Sequence, residues 1–196
     1  MLSREESLNL VTTWTENKNL VKHMLCVETA MGGLAKHFSE DKQSLSSSDE
    51  YDENLWKIAG LLHDADYDKY PEVHPQIIID ELTKRNEDQR LIDAIRAHAW
   101  KYNGFETEPK TKMEWSLYCC DELTGLIVAV ALVRPEKKLS VVTVENILSK
   151  WKKLDFAKGV NRDQIGLCEE KLGIKSPDFI EIVLKSMQNI SSELGL

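Results

Sequence analysis

The chain reads as an all-α protein, and three observations carry that reading. Apolar residues recur with the helical period through most of its 196 residues. Capping residues stand immediately before the periodic runs. The only β-branched run, Val141-Val142-Thr143-Val144, is too short to support a sheet.

Each element has its own signal. Ser3 with Glu6 has capping-box spacing and opens a helix to about Thr15. From Lys18 to Phe38, the residues Leu20, Met24, Val27, Met31, Leu34 and Phe38 recur at steps of four and three, which predicts a long amphipathic helix. The segment 39–52 is polar, with the low-complexity tract Ser44-Leu-Ser-Ser-Ser48, and reads as a surface loop. A third helix is expected over 53–63. Pro71 and Pro75 punctuate the next loop, and Pro75 is placed as the first helical residue of a helix over 76–84. A helix over 88–101 ends before the turn pair Asn103-Gly104. Thr111 with Glu114 repeats the capping-box spacing and opens a long helix that Pro135 stops. Beyond Ser140, helices are expected over 143–153, 161–172 and 177–194, with Asn161 and Ser176-Pro177 as caps.

Charge and proline near 135–140 divide residues 1–135 from a helical extension, 136–196. So short a set of amphipathic helices rarely folds alone, so the extension is expected to pack on the same core.

Composition is that of an ordinary globular protein, 42% hydrophobic and 30% charged. A formal net charge of −8 argues against a binder of nucleic-acid polymers or anionic membrane surfaces, both of which demand the opposite sign. No signal peptide is evident at the N-terminus. The longest apolar run, Leu126–Val133, is far short of the roughly 20 residues that cross a bilayer. Cys26, Cys119, Cys120 and Cys168 show no CxxC spacing and read as buried thiols of a reducing cytoplasm. Phosphate-loop glycine patterns and the G-x-S-x-G elbow are absent. The five tryptophans read as packing, although Trp100 and Tyr102 stand near His98, where they could stack a base.

The informative residues are polar ones in apolar company. His63-Asp64 closes the greasy run Ile58-Ala-Gly-Leu-Leu62. His23 flanks the core stripe of the second helix between Leu20 and Val27. His98 shares a face with Leu91 and Ile95, and Asp121 a row with Leu117, Gly125 and Val128. A carboxylate on such a row is costly unless it is paired or binds a metal, and no Lys or Arg stands at the right local spacing to Asp121. Singly, each of these has a bland reading as a hydrogen-bonded boundary residue. Together they place imidazoles and carboxylates in one interior, which a bound cation would explain.

The strings Val21-Lys-His23-Met-Leu-Cys-Val27, Ala59-Gly-Leu-Leu-His-Asp64 and Cys120-Asp-Glu-Leu-Thr124 stand on the second, third and sixth predicted helices. This pattern resembles the HD superfamily of metal-dependent phosphohydrolases over roughly residues 20–130. The resemblance implies an HD-type helical bundle, with the C-terminal helices added to it. It implies one divalent ion held by His23, His63, Asp64 and Asp121. Mixed nitrogen and oxygen ligands suit Mn²⁺, Fe²⁺, Co²⁺, Ni²⁺ or Zn²⁺, with Mg²⁺ also compatible. Such an ion would polarise a phosphoryl oxygen and acidify a bound water. The expected substrate is a small phosphorylated, nucleotide-like molecule, handled in the cytoplasm. The family often self-associates, so a homo-oligomer is compatible with the resemblance.

Asp66, Asp68 and His98 are the candidates for proton handling, and Lys22 and Lys69 for charge opposite the phosphate. The two aspartates also read as solvated turn residues. Many relatives place a Glu three residues after the Asp of the pair, where this chain has Tyr67. Two-metal relatives carry extra histidines between the pair and the final Asp. His98 could support a second ion, whereas His74, in Val73-His-Pro75, reads as a surface residue of a Pro-rich turn. One ion is the first expectation, with a second left open. Rival readings are a regulatory module without turnover and, ranked third for want of ligands, a di-iron oxygenase.

Overall fold

The computed structural model describes residues 2–40, 48–153 and 155–196. Half of the polar loop expected over 39–52, residues 41–47, lies outside the described residues. Its end, Ser48–Tyr51, forms a single 3-10 turn.

The helices are α1 (Arg4–Trp14), α2 (Lys18–Glu40), α3 (Glu53–Leu62), α4 (Gln76–Lys84), α5 (Gln89–His98), α6 (Lys112–Leu132), α7 (Val144–Trp151), α8 (Arg162–Leu167), α9 (Ser176–Asn189) and α10 (Ser191–Leu194). No strand occurs among the described residues. The chain is all-α.

Caps decide where several helices begin. Ser3 and Glu6 form the reciprocal capping box of α1. Asp52 accepts from the backbone N–H groups of Asn54 and Leu55 to open α3. Thr111 opens α6, but the Glu114 carboxylate reaches back one residue further, to the N–H of Lys110. Pro75 stands at the N-cap rather than inside α4. The helix expected over 88–101 stops at His98, because Lys101, Asn103 and Gly104 take positive φ (68°, 46° and 80°) and wind the chain into a turn. The run Val141-Val142-Thr143-Val144 forms no strand: it joins a 3-10 turn, Leu139–Val141, to the N-terminus of α7. Helix α8 passes into a π turn, Cys168–Leu172, that Gly173 ends in the left-handed conformation.

α2 and α6 are the axes of the core. The stripe Met24, Val27, Met31 and Leu34 on α2 is fully buried, together with Cys26 and Ala30. α6 is long and apolar enough to cross a bilayer by length and composition, but most of it is buried within the protein. One continuous hydrophobic cluster runs from Leu2 to Leu194. It includes Leu139, Ile147, Ile165, Phe179 and Val183 from the C-terminal helices. α9 is tied to α2 by Thr29, whose hydroxyl donates to the Ser186 carbonyl at 3.1 Å. Glu28 is buried on α2, where the Arg4 guanidinium meets it with two parallel hydrogen bonds, 2.5 and 3.0 Å.

The closest approach of α2 and α3 depends on Gly60. A Cβ at this position would stand 2.6 Å from the Val27 carbonyl oxygen and 2.8 Å from the Glu28 nitrogen. The glycine therefore lets two backbones touch, and the crossing point lies about one turn from His23 on α2 and from His63 at the end of α3.

Gly60→Ala should force these backbones apart and destabilise the fold by roughly 1–3 kcal/mol. In a thermal melt followed by circular dichroism, that loss corresponds to a midpoint lower by about 2–12 °C. An unchanged midpoint would mean that the crossing tolerates a methyl group.

Candidate metal centre

Three elements meet at the α2–α3 crossing. His23 comes from α2, His63 caps the C-terminus of α3, and Asp121 comes from the middle of α6. His23 Nε2 lies 2.9 Å from Asp121 Oδ1 and 3.3 Å from His63 Nε2. His63 Nε2 lies 3.4 Å from Asp121 Oδ1 and 3.4 Å from Asp64 Oδ2, which is itself 3.6 Å from His23 Nε2. The four residues that the sequence nominated as ligands converge on one point.

A second group stands beside the first. The other Asp64 oxygen, Oδ1, lies 3.2 Å from His74 Nε2 and 3.7 Å from His98 Nε2, and these two nitrogens are 3.2 Å apart. Asp64 thus offers one oxygen to each group, the first being His23, His63 and Asp121 and the second His74 and His98. His74 was expected at the surface of a Pro-rich turn, but it is almost wholly buried, 3% exposed. The turn folds inward because fully buried Asp66 holds it. Asp66 Oδ1 accepts from His74 Nδ1 at 2.6 Å, and Oδ2 accepts from the N–H of Ile78 at 3.0 Å. From the other side, the Asn103 amide donates to the carbonyls of Pro71 and His74 at 2.7 and 3.0 Å.

All four imidazoles are anchored through Nδ1. His63 Nδ1 donates to the Gly60 carbonyl at 2.8 Å, and His98 Nδ1 donates to the Ile95 carbonyl. His74 Nδ1 donates to Asp66, as described above. His23 Nδ1 is 3.3 Å from the Thr124 hydroxyl, which gives its own proton to the Asp121 carbonyl at 2.8 Å and so accepts from the ring. With each Nδ1 protonated, each Nε2 turns a lone pair towards a second Nε2 about as near as a hydrogen-bond partner. Only a proton or a cation between such nitrogens makes the approach favourable. The 2.9–3.7 Å separations match the edges of a coordination polyhedron, since bonds of about 2.1 Å give edges of about 3.0–3.4 Å. The residues present therefore fit a divalent ion in each group, with anchored imidazoles as their nitrogen ligands.

The groups open into a cavity of about 380 Å³, with Tyr67, Trp100, Tyr102, Glu122, Val160 and Gln164 among its walls. Tyr67 and Tyr102 are partly exposed, 40% and 43%, and each ring packs edge-on against His74. Of the residues expected to handle protons, His98 faces the cavity, but Asp66 stands behind His74 and acts as its positioning residue. Asp68, in the α3–α4 loop, accepts from the N–H groups of Glu16 and Asn17 at 2.8 and 2.9 Å and so braces the α1–α2 connection. Lys69 donates to the Thr13 carbonyl at 3.1 Å and does not line this cavity. Lys22 lines an adjoining one. The acidic wall residue that sequence reasoning missed is Glu122, which follows Asp121 and belongs to neither ligand group. Its carboxylate accepts from the N–H of Asn161 at 2.9 Å. Asn161 is placed by the next residue, Arg162, whose guanidinium binds the carbonyls of Trp151, Phe156, Ala157 and Val160.

Charge is distributed unevenly across the site. Burial opposes a charge on His63, but the carboxylates of Asp64 and Asp121 outweigh it and hold this imidazole well above its ordinary 6.5. Against the same burial, the neighbouring imidazoles, His63 foremost, hold both carboxylates below the usual carboxylate range. His98 is lowered by burial and by its imidazole neighbours. Burial pushes Glu122 up, with Asp121 adding to the effect. The four cysteines are free and buried, and burial raises Cys26 to about 12. None of these thiols is a nucleophile at neutral pH.

A family model described as HD domain matches residues 20–131, more than half of the chain. Searches of curated proteins and of solved structures each gave no significant match.

A divalent ion and a proton compete for His63 Nε2. The raised imidazole is protonated at neutral pH in the metal-free protein, so its proton must leave when an ion binds. Affinity for Mn²⁺ should therefore rise about tenfold per pH unit between pH 6 and 7, with about one proton released per ion bound at that nitrogen. Calorimetry in two buffers of different ionisation enthalpy measures the release directly. The same proton stabilises the metal-free fold, a contribution present below about pH 6.5 and lost as pH rises through the raised value. Binding without proton release would contradict a protonated His63.

Proposed function

This chain belongs to the HD domain family, and we propose that it is a metal-dependent phosphohydrolase that cleaves a phosphate ester or anhydride of a small, nucleotide-like molecule. The observation that carries the reading is the pair of imidazole–carboxylate groups joined through Asp64, set at the base of an open cavity.

His23, His63 and Asp121 would hold one divalent ion, His74 and His98 a second, and Asp64 would bridge them. Bound there, divalent ions supply Lewis-acid polarisation of a phosphoryl oxygen and lower the pKa of water from 15.7 towards about 7. The chain's own residues do the rest. Nδ1 hydrogen bonds fix each ring, so little reorganisation is needed when a phosphate arrives. Glu122, on the cavity wall and outside both ligand groups, is the group placed to take or return a proton. Tyr67, Trp100 and Tyr102 offer ring faces and hydroxyls to the part of a substrate next to its phosphate. Tyr102 is raised above its ordinary value by its hydrogen bond with Tyr67, so its hydroxyl stays protonated.

A second reading gains support from His74. With His74 and His98 the ligand count reaches six, enough for two irons in an oxygen-dependent reaction. Oxygen uptake in place of phosphate release would distinguish it.

The test is metal content together with turnover. Reconstituted protein should bind about two equivalents of Mn²⁺ or Fe²⁺, and His74→Ala about one. His63→Ala should abolish metal-dependent release of nitrophenol from nitrophenyl phosphate and weaken metal binding. Failure to take up any transition metal after reconstitution would remove the hydrolase reading. Undiminished turnover in His63→Ala would move the chemistry elsewhere.

A further inference from the structure

The cavity at the ligand groups has a neighbour of about 460 Å³ that shares two of its wall residues, His23 and Gly125. Val128, Leu132, Leu194 and Leu196 give the second cavity apolar walls, and Asn19 and Lys22 contribute polar groups. Among the described residues, no acidic side chain lines it. Lys22 is exposed and makes no ion pair among the described residues.

Gly125 is the floor common to both spaces. It sits one turn after Asp121, inside α6, where only proline is a poorer helix former. Packing does not require it. A Cβ there would meet only Val160 Cγ2, at 3.8 Å, an ordinary contact and quite unlike the collision at Gly60. With no side chain, this position puts nothing but backbone between the two cavities.

We propose that the two cavities form one substrate channel across Gly125, with an apolar, ring-sized organic group bearing an acceptor atom held in the second. The phosphoryl half rests on the phosphohydrolase reading; the organic half rests on the channel itself. Aliphatic walls favour an apolar body. An ammonium has three donors and no acceptor, so Lys22 selects for an oxygen or nitrogen lone pair, or an anionic group, at the far edge of that body. A planar heteroaromatic base meets both demands, as does an aryl group carrying a carboxylate.

Binding of two non-hydrolysable probes to the full chain, with and without Mn²⁺, tests the channel by calorimetry. Methylphosphonate reports the phosphoryl end alone, and naphthylmethylphosphonate reports both ends. The wild-type protein should prefer the naphthyl probe by about tenfold or more. Leu132→Glu, at the C-terminal end of α6 and half exposed, should lose that preference and bind methylphosphonate within about twofold of wild type. Gly125→Ile should also lose the preference. Gly125→Ala should keep it and melt no lower than wild type, since its methyl group meets no clash. A naphthyl preference that both Leu132→Glu and Gly125→Ile leave intact would overturn the channel, and so would no preference in the wild type. Failure of the hydrolase reading looks different: neither probe would depend on Mn²⁺, while the naphthyl probe would still bind and still respond to Gly125→Ile.

Discussion

Two nitrogens that both carry lone pairs repel one another, yet His23 faces His63, and His74 faces His98, at 3.3 and 3.2 Å. The rings cannot escape by turning, because each Nδ1 is engaged with an oxygen of the protein. The frustration is local and the surrounding fold maintains it. A buried arrangement of this kind is costly unless something positive sits between the nitrogens. In the metal-free protein, the proton on His63 meets that need for one pair. A divalent ion meets it better, since it also satisfies the carboxylates of Asp64 and Asp121.

The scaffold follows from the same requirement. Ligands from α2, α3, α5, α6 and the α3–α4 loop must reach one small volume. Gly60 brings α3 against α2, so His23 and His63 meet one turn from the contact. A buried α6 carries Asp121 into the same space, and α5 ends at the ligand it supplies, His98. The loop bearing His74 has no helix to place it. Asp66 and Asn103 hold it with four hydrogen bonds, two from each side chain. Helix–helix packing therefore positions the first group, and a loop clamped by polar side chains positions the second.

That division explains what could be read in the amino-acid order. His23, His63, Asp64, His98 and Asp121 lie on or at the ends of periodic segments, where the apolar register shows which way a side chain faces. The helices and most of their caps were legible for the same reason. His74 had no register, and its neighbouring prolines suggested a solvent-exposed turn. The clue was Asp66, an acid directly after buried Ala65, which needs a buried partner such as His74. Asp68 and Lys69 looked like site residues by proximity, but their polar groups satisfy the backbone of the α1–α2 connection. Glu122 and Gly125 carry no functional signal in the sequence, because an acid next to an acid, and a glycine inside a helix, acquire meaning only when the cavity beside them is known. The 88–101 helix ends short of Lys101 because that residue turns left-handed, and a left-handed lysine, unlike the pair Asn103-Gly104, leaves little trace in sequence.

Crystals grown with Mn²⁺ and measured at its absorption edge would locate any bound ion without assuming an activity. The account requires two anomalous peaks on either side of Asp64, one bonded to the Nε2 atoms of His23 and His63, the other to those of His74 and His98. A map with no peak within bonding distance of any of these four nitrogens would contradict it.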